Sequence, residues 1–101
     1  MMNDQLLEEM SDVCHEEWVK WSKNISKELY VIKDILKKDI DFSKEHGYEN
    51  NEAKEMLEKI ESRLERWESL WVPYNQLSEE MKSSDRAYAE KMLNLAENHY
   101  K

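Results

Sequence analysis

Only one glycine and one proline occur among the 101 residues of this chain, and their scarcity limits the folds that are open to it. β-Sheets depend on tight turns, which are commonly built from Gly, Pro, Asn-Gly or Asp-Gly. Neither dipeptide occurs here, whereas the helix-favouring residues Glu, Lys, Leu and Met form long stretches. The sequence therefore predicts an all-α chain. Its length predicts one domain over residues 1–101, since independent cores usually need roughly 100–150 residues.

Apolar residues recur at three- and four-residue steps, which is the spacing of an amphipathic helix. We expect a first helix over about residues 4–24 and a second from residue 27 to about residue 38 or slightly beyond, with Ser26 as the N-cap of the second. Residues 41–47 are either one more helical turn or a loop. Gly47, the only glycine, stands where the chain needs a left-handed residue.

Two further helices follow from capping residues and from the proline. Asn50 or Asn51 caps the third helix, which ends before Pro73 because the residue preceding a proline is disfavoured in the α region. Ser78 caps the fourth helix, which reaches about residue 99. Three or four helices with short connections would pack as an antiparallel, bundle-like domain.

The chain carries a formal charge of −8, with 23 acidic against 15 basic residues. This balance disfavours direct nucleic-acid binding, which requires a concentrated positive surface. No apolar run approaches the roughly 18 residues of a membrane-spanning helix, and the acidic, polar N-terminus does not look like a signal peptide. We therefore expect a cytoplasmic protein that makes no membrane contact.

Residue patterns for catalysis or metal binding are incomplete in this sequence. His15-Glu16 is similar to the first half of a zinc-protease helix, but Val19 stands where the second histidine is needed. Cys14 has no obvious base to activate it, so a buried structural thiol is its expected role. A single glycine cannot build a phosphate-binding loop. We predict a protein that is not an enzyme and that has no cofactor and no metal site.

The four tryptophans form two pairs at helical spacing, Trp18 with Trp21 and Trp67 with Trp71. One interpretation is a core where two helices meet. The other is that one member of each pair lines a cleft, where its ring stacks on a base or clamps a side chain of a partner. Four tryptophans are rarely needed to fill so small a domain. The sequence leaves both interpretations open.

A longer motif begins at the proline turn. Residues 71–89 read Trp-Val-Pro-Tyr-Asn-Gln-Leu-Ser-Glu-Glu-Met-Lys-Ser-Ser-Asp-Arg-Ala-Tyr-Ala, and residues 15–18 read His-Glu-Glu-Trp. These segments resemble the ryanodine-receptor-type repeat domain of bacterial and phage proteins, which carries Val-Pro-Tyr-x-x-Leu, Lys-x-x-Asp-Arg and His-Glu-x-Trp. The resemblance covers residues 71–93 and 15–18, and the Trp-x-Tyr-Gly-Pro stretch of that family is absent here.

The resemblance implies a small, non-enzymatic binding protein of phage or prophage type, which would act in the host-cell cytoplasm. Better-understood members of that family bind adenine-type nucleotides or mediate protein contacts. An intramolecular salt bridge of Asp85 or Arg86 that holds the turn is the structural alternative. The candidate ligand-binding residues that follow from the motif are His15, Glu16, Trp18, Trp71, Tyr74, Asp85 and Arg86.

Two functions from different classes are consistent with these residues. In the first, the protein sequesters a nucleotide-like small molecule that stacks on Trp18, or on Trp71 and Tyr74, while Arg86 meets a phosphate. In the second, the acidic surface forms a protein-interaction module that inhibits or modulates a host protein, such as a basic nucleic-acid-handling one. A homodimer that completes the burial of a wide apolar stripe is compatible with either function.

Overall fold

The structure is a computed structural model that describes residues 4–100. It contains three α-helices, α1 (Asp4–Glu45), α2 (Asn51–Ser69) and α3 (Glu79–Tyr100), and a short 3-10 turn at Tyr74–Gln76. No strand occurs in the described range, so the all-α prediction is confirmed. Of the helices found there, none combines the length and the apolar character that crossing a membrane requires.

The first two predicted helices form one continuous helix, α1, so the predicted break at Ser26 is wrong. The Ser26 side chain is buried, and its hydroxyl donates to the carbonyl oxygen of Lys23 at 2.7 Å. A serine can satisfy its hydroxyl within its own helix as well as at a cap. Neither Gly nor Pro lies nearby to interrupt the helix. α1 also continues past residue 38, so residues 41–45 are helical rather than a loop.

The fully buried residues of α1 are polar, and the large apolar residues on the same side, such as Leu29, Leu36 and Ile40, are only half-buried. The hydroxyls of Ser11 and Ser43 donate to carbonyl oxygens four residues earlier, at 2.7 and 2.9 Å. Such bonds satisfy the hydroxyls inside the helix, so their burial leaves no unpaired donor. The buried polar residues of α1 are Ser11, His15, Ser22, Ser26 and Ser43.

The described chain forms two compact units. One combines the first part of α1, through Lys20, with the chain from Trp71 onward, and the other is Trp21–Leu70. α1 contributes to both of them, because it runs from Asp4 to Glu45 without a break.

In the unit Trp21–Leu70, a short connection reverses the chain between α1 and α2. Gly47 has a φ of +76°. The Tyr48 amide donates to the Ser43 carbonyl at 3.0 Å, and the Gly47 amide donates to the Lys44 carbonyl at 3.2 Å. These two bonds form a Schellman motif, which places a left-handed residue at the glycine position. The predicted role of Gly47 is confirmed.

Asn50, and not Asn51, is the N-cap of α2. Its side-chain oxygen accepts from the Ala53 amide at 3.3 Å. Its side-chain nitrogen donates to Asp39 Oδ2 at 2.7 Å and to Ser43 Oγ at 3.2 Å. The cap therefore ties the start of α2 to the last turns of α1.

Apolar burial in this unit comes mainly from α2, whose buried residues are Ala53, Ile60 and Leu64. Trp21 and Trp67 meet at one end, with ring centroids 5.7 Å apart. This pair therefore lies where two helices meet, although Trp21 stays largely exposed.

The other unit packs the start of α1 with α3. Ser78 caps α3 as predicted, because its hydroxyl oxygen accepts from the Met81 amide at 3.2 Å. Ala89 and Tyr74 are its buried apolar residues. Since Ala89 is small, most of the specific contacts in this unit are polar, and they gather around Tyr74.

Asn50→Ala is expected to lower the free energy of unfolding by about 1–2 kcal/mol, because it removes an N-cap and two further hydrogen bonds. The matched control is Asn51→Ala, which changes the neighbouring residue and should cost less than about 0.5 kcal/mol. Urea denaturation followed by circular dichroism measures both. Equal losses in the two variants would contradict the assignment of the cap.

Candidate functional site

Between α2 and α3 the chain forms a tight turn that is closed by backbone hydrogen bonds. Pro73 is extended, with φ −57° and ψ 147°, and it leads into the 3-10 turn Tyr74–Gln76. The Leu77 amide donates to the Tyr74 carbonyl at 3.0 Å, which closes the turn. Because proline fixes φ and cannot continue a helix, this turn directs the Tyr74 side chain inward, where it is only 6% exposed.

Glu8 of α1 joins this turn to α3. The Tyr74 hydroxyl donates to Glu8 Oε2 at 2.6 Å, and Arg86 Nε donates to Glu8 Oε1 at 2.7 Å. A second nitrogen of the Arg86 guanidinium donates to Glu79 Oε2 at 2.8 Å. Hydrogen bonds between charged groups are the stronger kind, so both oxygens of Glu8 and two nitrogens of Arg86 are committed within this unit.

The contacts among these side chains shift the pKa values of Glu8, Glu79 and Tyr74. The hydrogen bond from Tyr74, followed by that from Arg86, lowers the pKa of Glu8 below its ordinary value. The hydrogen bond from Arg86 likewise lowers the pKa of Glu79. Burial, with the bond to Glu8, raises the pKa of the Tyr74 hydroxyl. The carboxylates therefore stay charged and the phenol stays neutral at physiological pH.

Lys82 contacts the ring of Tyr74. Its Nζ lies 5.3 Å from the centroid of the Tyr74 ring, and 3.8 Å from Glu79 Oε1. A cation over an aromatic face is attracted by the electron density of the ring. Tyr74 is thus held at its hydroxyl and at its ring face.

His15 is buried, at 4% exposure, on the other side of the turn. Its Nε2 lies 2.7 Å from the Val72 carbonyl oxygen, and its Nδ1 lies 3.5 Å from Asp85 Oδ2. A carbonyl oxygen can only accept, so Nε2 carries the proton of this bond. The Trp18 ring stacks on the imidazole at 6.1 Å with an interplanar angle of 23°. His15 therefore links α1 to the backbone of the turn and to α3.

Asp85 and Cys14 lie in the same low-dielectric surroundings. Burial raises the pKa of the Asp85 carboxyl, and the charge of His15 opposes that rise. Burial, reinforced by the negative charge of Asp85, raises the pKa of the Cys14 thiol. A thiol whose pKa is raised is a poor nucleophile, because the thiolate is the reactive form. Cys14 is half-buried, so the predicted burial of this thiol is only partial.

An open cleft of about 460 Å³ lies beside the buried His15 and Tyr74. Its walls come from one face of α1 and from the turn that precedes α3. It carries the carboxylates of Asp12 and Glu16, one cation, Lys20, and the indole of Trp71. The residues that line it are Asp12, His15, Glu16, Val19, Lys20, Trp71, Val72, Pro73, Tyr74 and Asn75.

All seven candidate residues from the motif lie in the unit that combines the start of α1 with the chain from Trp71 onward, but only some of them line the cleft. Trp18 and Asp85 do not line the cleft and instead contact His15 behind it. Arg86 also lies outside the cleft lining. It forms ion pairs with Glu8 and Glu79, as expected if this residue holds the turn in place. The four candidates that line the cleft are His15, Glu16, Trp71 and Tyr74.

Sequence reasoning does not identify Glu8 as a site residue. Its partners are 66 and 78 residues away in the chain, so no local spacing could have indicated them. Asp12 and Lys20 were missed as lining residues of the cleft. A helical wheel that places them beside His15 and Glu16, at three- to five-residue steps, would have been the available signal.

A second groove, of about 480 Å³, lies in the unit Trp21–Leu70. Within residues 4–100, no ion pair involves its three cations, Lys59, Arg63 and Arg66. No aromatic side chain contributes to it. Its lining is Leu29, Met56, Glu58, Lys59, Ile60, Ser62, Arg63 and Arg66.

No group of three or more His, Cys, Asp or Glu side chains in the described part of the chain is placed to hold a metal ion. Comparison with family models, curated proteins and solved structures gave no match to this chain. The likeness to the ryanodine-receptor-type repeat therefore stays a prediction that rests on the motif residues.

Glu8→Gln should reduce stability at neutral pH and make it less sensitive to acid. The lowered pKa of Glu8 means that its contribution is present above the ordinary glutamate pKa of about 4.3 and is lost as pH falls through the lower, folded-state pKa. The difference between wild type and variant should therefore shrink as pH falls. Urea denaturation at a series of pH values measures it.

The control for this series is Glu9→Gln, one residue along α1, where the carboxylate accepts only a long, exposed hydrogen bond from Gln5. A stability difference between wild type and Glu8→Gln that stays constant down to strongly acidic pH would contradict the proposed coupling of Glu8 to Tyr74 and Arg86.

The His15 imidazole should carry its hydrogen-bonding proton on Nε2, because the Val72 carbonyl oxygen can only accept from that nitrogen. Long-range 1H–15N correlation spectra of the imidazole ring report which nitrogen is protonated. A neutral ring with its proton on Nδ1 would contradict the hydrogen bond to Val72.

Proposed function

We propose that this chain is a non-enzymatic protein-interaction module whose cleft in the α1–α3 unit receives a basic side chain of a partner protein. The observation that carries the proposal is the pairing of the Trp71 indole with the carboxylates of Asp12 and Glu16 in one cleft. An aromatic ring attracts a cation through its face, and nearby carboxylates add charge complementarity. Lysine and arginine side chains carry both the apolar stem and the cationic end that such a cleft fits.

The proposal is also supported by the fixed positions of the buried residues that line the cleft. Tyr74 and His15, at its base, are buried and held by bonds to Glu8 and to the Val72 carbonyl. Binding residues that are already ordered lose less entropy when a partner arrives. The net charge of −8 adds a long-range attraction, which speeds encounter with a basic surface.

A nucleotide-like ligand is less well supported, because it requires an aromatic ring for its base and an available cation for its phosphate. The one cation that lines the cleft, Lys20, shares the lining with the carboxylates of Asp12 and Glu16, which oppose a phosphate. Arg86 lies outside the lining and is bound by Glu8 and Glu79. The groove in the other unit has cations but no aromatic side chain. Neither concavity supplies both requirements.

The proposal is tested by NMR titration of the 15N-labelled protein with three probes: a short peptide of lysine and leucine, a matched peptide with glutamate in place of lysine, and AMP. The basic peptide should shift the Trp71 indole signal and the amides of Asp12 and Glu16, while the acidic peptide and AMP should not. Glu16→Lys should weaken binding of the basic peptide roughly tenfold, the size expected for the loss of one favourable charge contact of about 1–2 kcal/mol.

The control variant is Glu90→Lys, because it makes the same change in net charge at an exposed α3 position outside the cleft. It should leave the affinity nearly unchanged. If both variants weaken binding equally, net charge rather than the cleft attracts the peptide. If AMP shifts the cleft signals and the basic peptide does not, the nucleotide hypothesis replaces this one.

A further inference from the structure

The C-terminal half of α1 is apolar on two opposite faces. One face packs in the unit Trp21–Leu70, where Leu29, Leu36 and Ile40 are half-buried beside the buried Ser22, Ser26 and Ser43. On the other, Val31, Ile35 and Phe42 are 58%, 59% and 52% exposed. At about 100° per residue these three side chains lie within about 40° of one another, and roughly 120–160° from Leu29, Leu36 and Ile40. A helix that is apolar on both sides normally packs on both sides.

This outer apolar stripe, defined as Val31, Ile35 and Phe42, lies in an electrically balanced segment. Between residues 27 and 45, five lysines match five carboxylates, so the whole excess of negative charge in this chain lies elsewhere. Two copies of a strongly acidic surface repel each other, whereas this segment can approach its own copy without a net charge penalty. Charge therefore favours a second copy at this face over a strongly acidic or basic partner.

The unit that carries the stripe also has little apolar burial of its own. Only Ala53, Ile60 and Leu64 are buried apolar residues there, and all three belong to α2. Packing two copies through the outer face of α1 would add apolar burial that this helical pair lacks. At one end of the stripe the His46 ring stacks on the Phe42 ring, with centroids 4.0 Å apart, and Phe42 is still 52% exposed.

We infer that the outer apolar stripe of α1 is a self-association surface, on which a second copy of this chain packs its own stripe about a two-fold axis near Ile35. In a two-fold interface the same patch is used by both copies, so Ile35 of one copy meets Ile35 of the other. An antiparallel pairing places Glu28 of each copy within about one helical turn of Lys38 of the other, since the two are seven and three residues from the axis. The oppositely charged ends of the stripe then complement each other.

The area sets the strength of this association. The stripe spans the 12 residues from Val31 to Phe42, which is about 18 Å of helix, so the contact it offers is small. Stable interfaces bury about 800 Å² per partner, and smaller ones are transient. The dimer is therefore expected to dissociate at low concentration, with a dissociation constant on the order of ten micromolar.

Sedimentation equilibrium of the full chain over a wide concentration range tests the inference. Wild-type protein should show a reversible monomer–dimer equilibrium. Ile35→Glu and Ile35→Lys should each raise the dissociation constant at least about tenfold, because each places two like charges together in an apolar contact. An equimolar mixture of the two variants should recover dimer, since Glu then meets Lys. Circular dichroism verifies that each variant keeps its helix content.

The matched control is Leu95→Glu, a similarly exposed leucine (60%) on α3, which should leave the dissociation constant unchanged. The inference is overturned if wild type stays monomeric at all concentrations, if Leu95→Glu dissociates the dimer as strongly as Ile35→Glu, or if the mixture of the two Ile35 variants stays monomeric. None of these outcomes depends on what the cleft binds, so failure here leaves the proposed function in place.

Discussion

The carboxylate of Glu8 is the contact on which the α1–α3 unit depends. It binds the Tyr74 hydroxyl with one oxygen and Arg86 with the other, so it joins three segments that are far apart in sequence. Among the described residues of this unit, the buried apolar ones are Tyr74 and the small Ala89, and a small side chain contributes little by burial. Polar contacts must therefore specify which face of α1 meets the turn, and Glu8 supplies two of them.

The same contact decides what the neighbouring cleft can bind. Because Glu8 and Glu79 occupy Arg86, the arginine of the motif stabilises the fold and is not presented to a ligand. The groups that the cleft does present are the Trp71 indole and the carboxylates of Asp12 and Glu16. Because Arg86 is used within the fold and the cleft presents carboxylates, the cleft is suited to a cationic ligand, which is the reverse of what the motif by itself indicates.

Local rules predicted the features that depend on nearby residues. The roles of Gly47 and Ser78 followed from turn and cap chemistry within a few positions, and the all-α class followed from composition. Ser26 misled the prediction, because the same hydroxyl that caps a helix can bond within one, and the choice depends on tertiary packing. Glu8 could not be found at all, since its two partners are 66 and 78 residues away.

The serine residues of α1, one of which led to the wrong helix break at Ser26, also bear on the outer apolar stripe. The serines on the buried side of α1 add little hydrophobic free energy, since a hydroxyl bonded to its own backbone contributes about as much as it did in water. The apolar residues beside them, Leu29, Leu36 and Ile40, are only half-buried. Val31, Ile35 and Phe42 lie on the opposite face, where each is more than half exposed. Burial of that second face would therefore add hydrophobic free energy that the inner face supplies only in part.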